Sequence, residues 1–320
     1  MIKGKIKLAL VILGSTLFIT SCTSIPRPEP RTSPRIIENK ESDYKLNLGA
    51  SSSEGINETM QEIKTKIIAT PRITITPEKK IEPSKSISLD KFKNLDLSTQ
   101  SWYVIRNSEH KLPKINVDIK KMTEKFDAYY CIQPDIKKVY LTFDEGYENG
   151  YTESILDTLK SKNIKASFFI TGQYLKVQKK LVKRMLEDGH GVENHTMNHP
   201  SLQTLNGKQF QAEVEGLQKI FKEEFGIEMK YLRPPKGEYN EKVLSMIKEL
   251  GYKTAFWSFA YDDYDVNKQR GSSYAYKMIM DNVHSGEIML LHAVSKDNAS
   301  VLPQIIDEIQ EKGYEIGKLE

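Results

Sequence analysis

One stretch, residues 138–152, constrains the fold of this 320-residue chain more than any other; it reads KVYLTFDEGYENGYT. Val139 to Phe143 form an unbroken run of β-branched, aromatic and aliphatic side chains, which predicts a strand buried on both faces, as in a parallel sheet covered by helices. The strand ends on Asp144 and Glu145, and α/β folds place their chemistry at the carboxyl ends of parallel strands. Neighbouring strand residues point in opposite directions, so we expect one carboxylate to take part in proton transfer and the other to bind a metal. The alternative is an exposed acidic turn that caps the next helix.

Six further segments are predicted strands, and helical patterns separate them. They lie at residues 166–170, 191–194, 231–232, 254–257, 288–291 and 314–316. Asn206 with Gln209 resembles a capping box, and Asn240 is a predicted N-cap. About seven β/α units in roughly 180 residues predict a parallel barrel slightly smaller than the usual eightfold form. The unusual polar residues fall at the predicted strand ends: Asp144, Glu145, His195, Arg233, Asp262, Asp263 and His292.

The N-terminal residues have the composition of a targeting signal. Three of the first seven residues are lysine, and an apolar run from Leu8 to Ile19 follows, which is typical of a secretory signal and short for a membrane span. The sequence ITSC at residues 19–22 resembles the bacterial lipobox, which implies cleavage before Cys22 and a lipid on its sulfur. The alternative is an ordinary cleaved signal with a chance cysteine. We therefore expect residues 1–21 to be a lipoprotein signal peptide and the protein to be secreted and lipid-anchored to the outer face of the bacterial cell membrane.

Three further segments differ in composition. Residues 22–90 are rich in Pro, Ser, Thr, Glu and Lys with Tyr44 as the sole aromatic, which predicts a disordered tether. Residues 91–136 predict an N-terminal extension packed on the main domain, which we place at residues 137–320. The net charge of +4 comes without a long basic run or an aromatic-interleaved basic stripe, so nucleic acid is not an expected partner.

The two histidines of the HTMNH motif predict a metal site. His195 and His199 have i,i+4 spacing, which would let one helical turn aim two imidazoles at a single ion, and Pro200 would end that turn. A carboxylate from another strand end would complete a set of two histidines and one carboxylate with open positions for water. The spacing alone fits solvent-facing or capping histidines as well.

Five motifs in order, TFDEG, HTMNH, RPPKG, WSFAYDDY and LLH, resemble the polysaccharide deacetylases of carbohydrate esterase family 4 over about residues 137–319. The resemblance implies a distorted (β/α)7 barrel of the polysaccharide deacetylase, or NodB homology, type with an N-terminal extension. The longer motifs YLTFDEGYENGYT, RPPKGEY and LLHAVSKDNA look like the branch of δ-lactam-biosynthetic de-N-acetylases. The implied function is a metal-dependent hydrolase that removes the N-acetyl group from muramic acid in spore-cortex peptidoglycan, leading to muramic δ-lactam.

The resemblance implies a role for each matching residue. Asp144 becomes the catalytic base with Arg233 orienting it, and His292 becomes the general acid held by Asp263. These roles suit amide hydrolysis, which needs an activated water, charge stabilisation and a proton donor for the amine.

The resemblance also implies ligands for a metal and for the substrate. Glu145, His195 and His199 would hold a divalent metal, Zn with Mn or Co as alternatives. The family pattern has aspartate where this chain has Glu145, whose side chain is one methylene longer. The implied substrate contacts are the backbone N–H of Lys236 at the oxyanion, and Leu290 and Tyr264 around the acetyl group. Lys236 stands where many members carry an aromatic residue. Its ammonium would bind the lactyl carboxylate that peptide-free muramic acid exposes. The alternative is a solvated loop lysine.

Two other functions are compatible with the sequence. One is a deacetylase of N-acetylglucosamine or of acylated xylan; the other is a glycan-binding lipoprotein that lost its metal through Glu145. The retained base, acid and histidine pair favour an enzyme. We expect the peptidoglycan glycan strand as partner and a monomer. Three tyrosines could either pack in the core or contact a sugar, and the sequence favours neither: Tyr147, Tyr151 and Tyr239. Four other candidates are expected to be structural: His110, Cys131, His190 and His284.

Overall fold

The structure, a computed structural model, describes Phe92 and residues 95–320. The predicted signal peptide, the lipid on Cys22 and the tether lie outside the described residues. Within the described part, no helix is both long enough and apolar enough to cross a membrane.

The described residues form ten strands and eight α-helices. The strands are β1 (Gln100–Ser101), β2 (Ala128–Tyr129), β3 (Lys138–Glu145), β4 (Ser167–Ile170), β5 (Gly191–Asn194), β6 (Tyr231–Leu232), β7 (Glu238–Tyr239), β8 (Lys253–Ala255), β9 (Glu287–His292) and β10 (Glu315–Gly317). The helices are α1 (Val117–Lys125), α2 (Thr152–Ser161), α3 (Gly172–Val177), α4 (Lys179–Glu187), α5 (Gly207–Phe225), α6 (Glu241–Glu249), α7 (Ser272–Met280) and α8 (Lys296–Glu311). Two 3-10 turns lie at Leu202–Thr204 and Pro235–Gly237.

The main sheet confirms the distorted barrel of seven β/α units. Its strands pair in parallel in the order β10–β3–β4–β5–β6–β8–β2, and β9 also pairs with β3. After β8 the chain reaches β9: the N–H of Ser258 donates to the carbonyl of Ile288 at 3.0 Å, and the N–H of Leu290 donates to that of Phe259 at 2.9 Å. These bonds bring the two sides of the curled sheet together, so the carboxyl ends of its strands surround one opening.

The two faces of β3 have different neighbours. Phe143 faces outward and stacks on Phe168 at 5.2 Å between ring centroids, within the large core under the helices. Asp144 alternates with it and faces the interior, where a smaller cluster fills the barrel. That cluster consists of Tyr140, Phe169, Tyr231, Ala255, Ile288 and Leu319. The packed interior limits the open space to the carboxyl ends of the strands.

Local signals account for several helix ends. Asn206 and Gln209 form the predicted capping box of α5, and Gly226 ends that helix in the left-handed region with φ 71°. Asn240 caps α6 by accepting a hydrogen bond from the N–H of Val243 at 2.9 Å. The caps fix where these helices meet the strand ends.

The segment before the first β/α unit lies against the barrel. Strand β1 pairs antiparallel with β7, and β2 pairs in parallel with β8. Trp102 is 5% exposed and stacks on Phe256 with ring centroids 4.3 Å apart and planes 9° from parallel. This segment therefore contributes side chains next to the barrel opening.

Candidate active site

A cavity of about 880 Å³ lies at the carboxyl ends of the strands. Seven of the ten predicted site residues line it: Asp144, His195, His199, Lys236, Tyr264, Leu290 and His292. Arg233 and Asp263 are buried and bind two of the lining side chains. Glu145 is the one predicted residue that neither lines the cavity nor binds a lining side chain through a hydrogen bond.

Asp144 is held by a fully buried arginine. The Arg233 guanidinium donates from Nη1 to Asp144 Oδ1 at 2.6 Å, from Nη2 to Thr142 Oγ1 at 3.0 Å and from Nε to the carbonyl of Ala255 at 3.1 Å. It also lies 4.0 Å from the ring centroid of Phe169. Burial would raise the pKa of Asp144, but the positive charge of Arg233, with the charge of His292 and the hydrogen bond from Arg233, outweighs it and lowers that pKa. Asp144 is therefore an ionised carboxylate in a fixed orientation.

His292 is held in the same way by Asp263. Its Nδ1 lies 2.7 Å from Asp263 Oδ1, and its backbone N–H donates to Asp263 Oδ2 at 2.8 Å. Burial would lower the pKa of His292, but the Asp263 carboxylate more than compensates and raises it. Asn298, which the sequence reasoning missed, donates from Nδ2 to Asp263 Oδ2 at 2.6 Å. Its place six residues after His292, within the LLHAVSKDNA motif, was the available signal.

Asp144 and His292 are register partners in the pairing of β3 with β9. Register partners on neighbouring strands have side chains on the same face, so both enter the cavity side by side. A carboxylate with a lowered pKa next to an imidazole with a raised pKa is an arrangement of one base and one acid.

The two histidines of HTMNH meet, but not through a helical turn. Residues 195–200 form an irregular loop, in which Thr196 (φ 69°) and His199 (φ 59°) are left-handed. The predicted helical turn is therefore wrong, because these positive φ angles fold the loop back on itself. The two rings nevertheless lie 4.8 Å apart between centroids at 69°.

Both imidazoles are neutral and one tautomer is fixed. His195 Nδ1 lies 2.8 Å from the carbonyl oxygen of Arg233, which can only accept, so the hydrogen is on Nδ1 and Nε2 carries a lone pair. Burial lowers the pKa of His195 to about 4, and burial likewise lowers that of His199. Nε2 of His195 lies 3.5 Å from Asp144 Oδ2. Both atoms carry lone pairs and repel each other, so a proton donor or a cation bound beside them would be favourable. The histidine pair thus has the chemistry of metal ligands.

Glu145 does not join the histidine pair. Strand β3 continues through Glu145, whose register partner is Ile170, so its side chain is on the face opposite to Asp144. It is 0% exposed, and neither of its carboxylate oxygens has a hydrogen-bond partner. Burial, with the charges of Glu148 and Asp144, raises its pKa well above the usual value. In residues 95–320 no three His, Cys, Asp or Glu side chains form a group that could hold a metal ion, so the predicted three-ligand set does not fit.

Lys236 lies at the tip of the turn Pro235–Gly237 with φ 60°. The turn is closed by hydrogen bonds from the N–H groups of Gly237 and Glu238 to the carbonyls of Pro234 and Pro235. Neither bond uses the N–H of Lys236. Of the described residues that line the cavity, Lys236 is the only lysine or arginine, and no described carboxylate forms an ion pair with it.

The remaining predicted candidates divide into cavity and core. Tyr264 is 61% exposed, and its ring centroid lies 5.9 Å from that of His292. Leu290 is buried and forms part of the cavity wall. Tyr147 lines the cavity, whereas Tyr239 is buried in the core and Tyr151 is the N-cap of α2. The other histidines and the free cysteine have structural contacts, as expected: His110, His190, His284 and Cys131.

Comparisons with known proteins agree with this geometry. Residues 132–255 match the family model described as polysaccharide deacetylase. The chain is 41% identical to the peptidoglycan-N-acetylmuramic acid deacetylase PdaA of Bacillus subtilis over 67% of this chain and 82% of that protein. It is 29% identical to the peptidoglycan-N-acetylglucosamine deacetylase PgdA of Listeria monocytogenes over 71% of this chain and 52% of that protein. The solved structure of B. subtilis PdaA, a family 4 carbohydrate esterase, superposes with a TM-score of 0.68 at 39% identity, covering 70% of this chain and 96% of that one.

Proposed function

Because the chain belongs to the polysaccharide deacetylase family, family 4 of the carbohydrate esterases, we propose that it hydrolyses the N-acetyl group of muramic acid in peptidoglycan, which leads to muramic δ-lactam. The observation that carries the reaction is the pairing of Asp144 with His292 on adjacent strand ends inside the cavity. A non-catalytic glycan-binding protein would have no need for both groups with their separate buried partners.

The site residues account for each step of amide hydrolysis. Asp144 takes a proton from the attacking water, since Arg233 holds Oδ1 and keeps the carboxylate ionised. The backbone N–H of Lys236, which neither hydrogen bond of its turn uses, would donate to the developing oxyanion. His292, held as imidazolium by Asp263, donates a proton to the departing amine. Acetate and a free amine are the products.

We infer that a divalent metal, Zn with Mn or Co as alternatives, would be held by His195 and His199 and not by Glu145. The support is the lone pair of His195 Nε2 and the separation of Glu145 from the pair. Such an ion would lower the pKa of its bound water and polarise the acetyl carbonyl.

Lys236 favours muramic acid over N-acetylglucosamine as the substrate. Peptide-free muramic acid carries a lactyl carboxylate, and Lys236 is the only lysine or arginine among the described residues that line the cavity. An ammonium and a carboxylate form a charge-assisted hydrogen bond, which N-acetylglucosamine cannot make. Deacetylation then leaves an amine beside the carboxylate, and holding the two together favours closure of a six-membered lactam. The B. subtilis relative, the more similar of the two, is named for muramic acid.

The test compares three substrates: peptide-stripped glycan, intact peptidoglycan and chito-oligomers, with mass spectrometry following loss of acetyl and then of water. We expect wild type to prefer peptide-stripped glycan, and Lys236→Met to lower that preference by about tenfold or more, because a hydrogen bond to a charged group is lost. Lys236→Arg should retain most of the preference. Lys219→Met removes the same charge from the outer surface of α5 and should change nothing.

The outcomes separate the candidate functions. Equal rates on all three substrates in wild type and Lys236→Met would assign the chain to a less selective N-acetylglucosamine-type deacetylase. No hydrolysis of any substrate would favour the binding protein.

We also propose that the mature protein is anchored through a lipid on Cys22. The support is the lipobox-like sequence at residues 19–22 after a short apolar run. Mass spectrometry of the membrane fraction from a bacterial host should find a diacylglyceryl group on Cys22 and no residues 1–21. A soluble, unmodified mature protein would contradict this proposal.

A further inference from the structure

We propose that Trp102, which precedes the barrel by more than thirty residues, is a positioning residue for the reaction: it holds both the turn that carries Lys236 and the cavity wall at Trp257. The inference rests on the proposed function for its kinetic readout and on the structure alone for its spectroscopic one. No motif of the sequence assigns Trp102 a role.

Trp102 bonds to two separate parts of the cavity wall. Its backbone N–H donates to the carbonyl of Gly237 at 2.8 Å, and its indole Nε1–H donates to the carbonyl of Trp257 at 2.8 Å. Trp257 and Lys236 both line the cavity. One residue therefore binds the turn through its backbone and the cavity wall through its side chain.

The residues on either side extend this attachment. Gln100 and Ser101 of β1 pair with Tyr239 and Glu238 of β7, which directly follow the turn. Arg106 places Nη1 at 3.5 Å from the carbonyl of Ala260, another lining residue. The segment runs along the cavity wall as an added strand, with Trp102 as its buried anchor.

The turn needs an external hold because its backbone is unfavourable. Lys236 at φ 60° is left-handed, a conformation that costs free energy for any residue with a Cβ, and Gly237 follows at φ 66°. Such conformations persist where the surroundings fix them. Here the surroundings are close: a Cβ on Gly237 would lie 2.7 Å from Trp257 Cη2 and 3.1 Å from Trp102 Cβ. Trp102→Ala keeps this Cβ contact and the backbone hydrogen bond to Gly237. It removes the hydrogen bond from the indole to the carbonyl of Trp257 and the indole ring that lies 6.2 Å from the ring of Tyr239, two residues after the turn, so the turn and the wall can relax.

The relaxed turn would displace the N–H of Lys236 from the oxyanion. A misplacement of about 1 Å can cost about a hundredfold in rate. The loss should appear in kcat, since the oxyanion contact strengthens in the transition state, and KM should change little.

The experiment uses Trp102→Ala, Trp102→Phe and a matched control, Phe126→Ala. Phe126 also lies before the barrel and is also 5% exposed, but it is the C-cap residue of α1 and its backbone N–H bonds to Met122 within that helix. Urea titrations first establish a temperature at which each protein is fully folded, and kcat is measured there. It should fall by about thirtyfold to a hundredfold in Trp102→Ala. In Trp102→Phe it should fall by only a few-fold, because phenylalanine keeps the ring stack on Phe256. Phe126→Ala should retain wild-type kcat.

Fluorescence gives a readout that needs no activity. The chain has two tryptophans, so both Trp102 variants leave Trp257 as the sole emitter. Acrylamide should quench Trp257 more strongly in Trp102→Ala than in Trp102→Phe. Equal quenching, or a kcat loss in Trp102→Ala no larger than in Phe126→Ala, would overturn the proposal. If wild type hydrolyses no substrate, the proposed function fails, and the quenching difference still decides whether Trp102 holds the wall.

Discussion

Arg233→Met tests the buried charge pair that fixes the base. Arg233 is fully buried and makes four hydrogen bonds at 2.6–3.4 Å, of which the bond to Asp144 pairs two opposite charges. Methionine fills much of the space but leaves the Asp144 carboxylate buried without its partner. Removing one member of a buried ion pair costs about 3–5 kcal/mol. Since a domain is stable by about 5–15 kcal/mol in all, the variant should lose at least about a fifth of its stability.

The assay is a double-mutant cycle followed by urea denaturation. Asp144→Asn alone leaves the guanidinium unpaired, and the double variant leaves neither charge, so the two costs should not add. We expect a coupling free energy of about 2–3 kcal/mol between the two positions, within the range found for residues in one network. Arg233→Lys keeps the charge but not the fork of donors, so it should lie between wild type and Arg233→Met. A cost below about 1 kcal/mol for Arg233→Met, or additive costs, would refute a fixed buried pair.

Three further predictions concern the acid, the outlying glutamate and a helix cap. Asp263→Asn removes the charge that raises the pKa of His292 and leaves burial, which lowers it, so the alkaline limb of the kcat profile should move to lower pH; an unmoved limb would show that His292 is not the acid. Glu145→Met replaces a buried carboxylate without partners and should raise stability by about 1–3 kcal/mol, with unchanged metal content by elemental analysis, whereas loss of metal would make Glu145 a ligand. Asn206→Ala removes the cap of α5 and should lower stability by about 1 kcal/mol in urea titrations, and no change would mean that the capping box contributes nothing.

Local patterns predicted the parts of the fold that local chemistry determines. All seven strands of the β/α units are present. For β3, β4 and β9 the reason is local, because runs buried along their length leave few alternatives to burial on both faces. The capping box of α5 and the N-cap of α6 depend only on residues three positions apart. The sequence placed Asp144 and His292 at the ends of predicted parallel strands, and this placement is enough to expect the two side chains at the same edge of the sheet.

Other parts depend on contacts that no local pattern encodes. Strands β1, β2 and β7 are two residues long and exist only through their partners. Trp102 and Trp257 are 155 residues apart in the chain. In the HTMNH loop, i,i+4 spacing fits a helical turn as well as a folded loop, and only the positive φ angles of Thr196 and His199 separate the two.

Glu145 shows how a physical rule and a family pattern can make opposite predictions for one residue. Alternation along β3 places Asp144 and Glu145 on opposite faces, whereas the family pattern assigns both to a single site. The structure follows alternation, because hydrogen bonding to β4 continues through Glu145 and leaves no irregular residue that would turn its side chain inward. An identity of 41% to a relative therefore supports the transfer of the fold and of the Asp144–His292 pair, whose register is fixed by the sheet. It does not support a metal ligand at position 145. This chain has glutamate there in place of the family's aspartate, and the backbone of β3 directs that side chain toward the helices.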